Sequence, residues 1–213
     1  MDRRIKEAIR YLGYKTTTID EKILSIIQES FQELDEISEL KSTYRTFELS
    51  EKDDELQIGN LQIKSKSLQK NLKRCTQVVL FGATMGIDVD RQIRTYELTD
   101  MARAVVMQAC ATAVLEEYCD KVQEEIAMEL PMKNLYLRPR FSPGYGDFSI
   151  THQKEILEML DAPKRIGLTM TDAYMLAPTK SVTAVIGVSK TKEPCHRKGC
   201  EECTKADCLY RRS

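Results

Sequence analysis

From Ala104 to Leu115 the chain carries no charged side chain and is rich in alanine. A helix with small apolar residues all round can be approached closely from more than one side, so it must sit centrally. The pattern predicts a helix from about Asp100 to Leu130, with Thr99 as N-cap and Asp100 favourable to the helix dipole. Beyond the buried half, Leu115, Tyr118, Cys119, Val122 and Ile126 form a single stripe facing the core. Glu116 and Glu117 stand where the two halves meet; they read either as a solvated pair or with one acid turned into a pocket. Pro131 ends the helix.

The remaining elements are shorter. Residues 2–12 form an amphipathic helix stopped by Gly13, and Asp20 to Leu40 a second one with Ile23, Ile27, Phe31 and Leu34 on one face. Tyr44 to Leu49 alternates as a strand. Leu56 to Ile63 is apolar at every second position on either side of Gly59-Asn60, a hairpin signal. Ser65 or Ser67 can cap a short helix through Leu72. Gln77 to Phe81 is a buried strand running into Gly82-Ala83-Thr84-Met85-Gly86 and a helix opening near Asp88. That glycine spacing is neither GxGxxG nor GxxxxGK[ST], so it reads as a tight strand-to-helix turn. Asn134 to Leu137 is a short strand, a helix capped by Ser149 or Thr151 follows, and Ser181 to Val188 is the last strand. His152 reads as a surface residue. Interspersed helices and strands without regular βαβ alternation define an α+β fold with a mixed, mainly antiparallel sheet packed with long helices.

Two stretches carry chemistry. In Arg140-Phe141-Ser142-Pro143-Gly144-Tyr145 a proline and a glycine shape a turn that lets main chain approach a ligand. Arg140 offers a flat fork for a carboxylate or phosphate, and Tyr145 an aromatic face. The same residues would also serve as a strand-ending turn with solvated arginines. The second stretch is Cys195-x4-Cys200-x2-Cys203-x4-Cys208, four of the seven cysteines in the last nineteen residues. The net charge of −1 and the lack of a long apolar run argue against nucleic-acid and membrane partners. The N-terminus lacks the apolar core of a signal peptide, so a cytoplasmic location is expected, where thiols stay reduced. Four clustered thiols there point to zinc or an iron–sulfur cluster, with His196 as an alternative fourth ligand. Cys75, Cys110 and Cys119 are expected to be packing residues.

The Arg140-to-Tyr145 turn resembles the Arg-x-x-x-Gly-Tyr turn of the activation (reactivation) domain of cobalamin-dependent methionine synthase. The Gly82-to-Gly86 loop, the Ala-rich helix ending in Glu116-Glu117-Tyr118, Ile166-Gly167-Leu168-Thr169 and Met175 to Val182 follow in the family's order. The resemblance covers roughly residues 75–190. It implies that Arg140 engages the carboxylate of S-adenosylmethionine, that Ser142 and Gly144 hold the adenosyl part, and that Tyr145 lines the pocket, with Glu117 for the ammonium group. In that family the domain presents S-adenosylmethionine to oxidised cobalamin while a donor such as flavodoxin or ferredoxin reduces the cobalt.

Here Ile186 stands where the family pattern places a tyrosine, and Gly146-Asp147-Phe148 where it continues with proline and cysteine. There is no Asp-x-His-x-x-Gly cobalamin motif, so the cobalamin is expected on a separate methyltransferase or corrinoid protein reached in trans. The expected organisation is an S-adenosylmethionine-binding domain over 1–190, with N-terminal helices and hairpin at 1–74 and the best-matched part at 75–190. A four-cysteine tail occupies 191–213. The expected function is reductive reactivation of a partner's cobalamin, as a component of methyltransferase activity. The alternative is a non-enzymatic metal-binding interaction module with a vestigial adenosyl site.

Overall fold

The computed structural model describes residues 2–14, 19–129 and 135–191. Its centre is two adjacent strands, β4 (Cys75–Thr84) and β8 (Ser181–Ser189), paired antiparallel along nearly their whole length. Both read as almost unbroken apolar runs because both sheet faces are covered. Val79, Phe81, Ala184 and Ile186 enter one core, and Val78, Leu80 and Val185 the other. Outward from β4 lie β1 (Lys41–Lys52), β2 (Glu55–Ile58) and β3 (Leu61–Ile63). β5 (Tyr136–Leu137) edges β8, giving the order β3-β2-β1-β4-β8-β5. Every ladder among the described residues is antiparallel, so the mixed sheet expected from the pattern contains no parallel pair there. A two-stranded ribbon, β6 (Thr169–Met170) and β7 (Leu176–Ala177), stands apart.

Helices α1 (Arg3–Tyr11), α2 (Glu21–Ile37), α4 (Ile87–Thr99) and α5 (Met101–Glu129) cover the first face. The second carries α3 (Lys66–Asn71), α6 (Gln153–Leu160) and α7 (Ala162–Ile166), joined by the β2–β3 hairpin. Helix α5 is central as its sequence demands: Ala104, Ala109, Ala111 and Ala113 are buried, and it packs against α1, α2 and α4. Its cap differs from the expectation. Thr99 ends α4 and donates to the Thr95 carbonyl, while the Asp100 carboxylate accepts from the Arg103 amide at 3.1 Å. The carboxylate takes the position because it answers both the unpaired amides and the dipole. Helix α2 stops at Ile37, three residues short of Leu40, where the chain turns extended into β1.

Ser65 caps α3, its hydroxyl accepting from the Leu68 amide at 3.0 Å. Of the three non-tail cysteines, Cys110 and Cys119 are buried, whereas Cys75 is only partly so. Gly187 is required for room: a Cβ there would lie 2.6 Å from the Cys75 sulfur and 3.0 Å from Cγ of Arg138. This close approach lets the segment after β5 hug β8, with the Arg138 amide donating to the Gly187 carbonyl at 2.8 Å.

Candidate functional site

After β5 the chain stays on the edge of β8 for one more pairing. Phe141 and Val185 exchange two main-chain hydrogen bonds at 3.0 and 2.9 Å, and Pro143 and Gly144 then turn the chain away. Gly144 has φ +94°, a region closed to most side chains. The turn is closed by its own main chain: the Tyr145 amide donates to the Ser142 carbonyl at 3.2 Å, and Gly144 to Phe148 at 2.8 Å. Beneath it Phe141 meets Tyr145 edge-on and stacks on Phe148, which is 1% exposed. Tyr145 is 63% exposed, so its ring offers a face to solvent.

Asp147 ties the turn to the far side of the fold. Its carboxylate accepts from the Ser65 hydroxyl at 2.6 Å and from the Lys66 and Ser67 amides at 2.8 and 3.0 Å. It therefore crowns the N-terminus of α3. The Ser65 hydroxyl first, and then the Ser67 amide, hold its pKa far below the usual carboxylate range.

Arg140 lies at the strand end with only 16% of its side chain exposed. One guanidinium nitrogen donates to the Gln123 amide oxygen at 3.1 Å, and the other to Glu116 at 2.9 Å and Asp120 at 2.8 Å. These partners stand at i, i+4 and i+7 of α5, one face of the helix. Gln123 also donates to the Arg138 carbonyl at 3.2 Å, which fastens the strand end to the helix. With Arg3 also reaching Asp120, two carboxylates face two guanidinium groups, and Arg140 is the less exposed of the two cations.

Of the residues singled out in the sequence, Arg140, Ser142, Gly144 and Tyr145 belong to this one turn. Glu117 is turned elsewhere. Its carboxylate pairs with Nε of Arg4 on α1, and the same guanidinium reaches Asp35 at 3.2 Å. Arg3 lies 3.6 Å from Asp120. Glu116 is thus the acid of the pair that faces the turn. Asp120 and Gln123 were missed because, in the amphipathic half of α5, their row looks like the neighbouring exposed polar residues such as Lys121, Glu124 and Glu125. Ile186 is fully buried in the core between β8 and the helices of the first face. His152 bonds Glu155 within its own helical turn at 2.9 Å.

Cys195, Cys200, Cys203 and Cys208 lie outside the described residues. Among the described residues no group of three or more His, Cys, Asp or Glu side chains converges as a metal site. Nor is any described helix long and apolar enough to cross a membrane.

Comparison with known proteins bears on the same region. The family model described as the activation domain of vitamin B12-dependent methionine synthase matches residues 68–193, more than half of the chain. No curated protein matches it. Among solved structures, a crystal structure of the MetH reactivation domain bound to AdoHcy superposes with a TM-score of 0.63 at 16% sequence identity. The match covers 81% of this chain and 66% of that one, and at this identity it shows a shared fold. The matched span contains the Arg140 turn, the whole of α5 and both central strands. The chain belongs to the family of the vitamin B12-dependent methionine synthase activation domain.

Proposed function

We propose that this protein binds S-adenosylmethionine at the Arg140–Tyr145 turn and serves the reductive reactivation of a cobalamin held by a separate methyltransferase or corrinoid protein. The observation that carries this reading is the half-enclosed Arg140 guanidinium, backed by Glu116 and Asp120 beside an exposed tyrosine. The ligand brings a carboxylate, an ammonium and a sulfonium, and the cluster offers a guanidinium and carboxylates to meet groups of either sign. Arg140 would take the carboxylate through its planar fork, and an acid released from it would take the ammonium. The turn's main chain at Ser142 and Gly144 would approach the adenosyl part, and the Tyr145 face would lie by the sulfonium methyl. Cobalamin on the partner would accept that methyl once reduced, with the electron coming from a flavodoxin- or ferredoxin-type donor. The fit rests on this chain's own cation, acids and aromatic face.

Calorimetry of the native protein against Arg140→Ala tests the reading. Loss of a charge-assisted bidentate contact is expected to cost about 2–3 kcal/mol, roughly 30–150-fold in affinity. Equal affinity in the two proteins, or no binding by the native one, would overturn it.

The tail is a separate part of the proposal: Cys195, Cys200, Cys203 and Cys208 hold zinc as a docking clip or an iron–sulfur cluster as an electron carrier. Support comes from the spacing of four thiols in a basic segment. Anaerobic purification followed by metal and sulfide analysis is expected to return one of the two. Protein free of both metals would sink it.

A further inference from the structure

Away from the Arg140 turn, α4 and α5 run as a hairpin about Asp100, and residues 178–180 cross their polar sides before entering β8. Together they line an open cleft of about 510 Å³. Sites for small organic ligands span roughly 300–1,000 Å³, so the cleft has room for more than a bare ion.

Its charges are unevenly spent. Both oxygens of Asp90 are taken by the loop: one accepts from the Thr179 amide and the other from the Thr179 hydroxyl, each at 2.6 Å. Glu97 accepts from Arg94 at 3.2 Å and from the Gln108 side chain at 3.4 Å. The two cations are less committed. Arg94 is 74% exposed on its side chain and engages Glu97 through a single nitrogen. Lys180 is half-buried, and its ammonium donates only to neutral oxygens, the Gln108 carbonyl at 3.1 Å and the Thr112 hydroxyl at 3.2 Å. No carboxylate among the described residues pairs with it. Burial accordingly lowers its pKa, and the field of Asp90 offsets that only in part. A half-buried ammonium bonded only to neutral acceptors can take an anionic partner at the cleft.

We propose that the α4–α5 cleft is a second binding site, for a small molecule carrying an oxyanion (a carboxylate or a phosphate), with Lys180 as its charge partner and Arg94 as its fork. The contacts of Lys180 on α5 end at Thr112, one helical turn before Glu116, where those of Arg140 begin. The two sites hold their cations differently: Arg140 is paired with two carboxylates, whereas the Lys180 ammonium donates only to neutral oxygens and is free to take an anionic partner. Ile93, buried in the core beneath, forms the apolar floor of the cleft. The proposal stands independently of S-adenosylmethionine binding.

The test is amide NMR of the full chain titrated with inorganic phosphate and, separately, succinate, at ionic strength held constant with sodium chloride. Saturable shifts centred on Gln108, Thr179 and Lys180 are expected with at least one probe, and the tighter one identifies the oxyanion class. Lys180→Met is expected to weaken that binding by about tenfold or more, while Lys180→Arg retains it. No saturable shift with either probe, or a Lys180→Met protein that titrates like the native one, would overturn the proposal. Should Lys180→Met not fold, the exposed Arg94→Ala decides by the same criterion.

Discussion

At the scale of single residues, Asp147 does the most with the fewest atoms. It accepts three hydrogen bonds from the start of α3 and anchors a turn whose other end carries Arg140. The ionised form is the one these donors favour, so its folded pKa lies below the unfolded value of about 3.9. The stabilisation is fully present above that value and is lost as pH falls below it. Urea unfolding at a series of pH values is expected to show the native protein losing stability below about pH 4. Asp147→Asn should show a shallower acid limb from a lower starting level. Limbs of equal slope would mean that the carboxylate titrates alike in both states. Gly187 acts by its lack of a side chain, leaving room for Cys75 and Arg138 against β8.

At the scale of elements, α5 is the organiser. Mostly buried from Ala104 to Leu115 and amphipathic beyond, it carries one polar row in which Gln108 and Thr112 meet Lys180, while Glu116, Asp120 and Gln123 meet Arg140. The row survives in a helix packed on three partners because it lies where the loop before β8 and the strand end after β5 bring their cations. Helix α1 reaches the same region from another side, and its Arg4 holds Glu117. The pair is partly exposed, so it adds little to stability, and Arg4→Ala should fold normally. The variant is expected to bind S-adenosylmethionine with unchanged affinity by calorimetry, since Glu116 and Asp120, not Glu117, face the Arg140 turn. Several-fold tighter binding would assign the ammonium group to the freed Glu117.

At the scale of the whole molecule, one sheet is covered on both faces, and residues from before and after position 75 share each core. Cys110 and Cys119 lie in the first core, where burial pushes both thiols up to about 12. Thiolate is the reactive form, so neither is expected to react with iodoacetamide at pH 8 in the folded protein; both should react in urea, as mass spectrometry would show. Labelling of either in the native state would mean that α5 opens locally.

Much of this architecture was legible in order of residues: the central Ala-rich helix, the β2–β3 hairpin, the Ser65 cap, and the unbroken apolar runs of β4 and β8. Each depends on neighbours within a few residues, where periodicity and turn chemistry act. The Arg140 turn was legible too, as a shape and as a family resemblance. What only the tertiary structure decided is which charges meet: Arg140 with Glu116 and Asp120, Glu117 with Arg4, Asp147 with α3, and Lys180, among the described residues, with neutral oxygens. Such pairings join residues up to 113 positions apart. A solvated helix face and a ligand-facing one share the same period in sequence, and packing alone determines which of the two a given acid occupies.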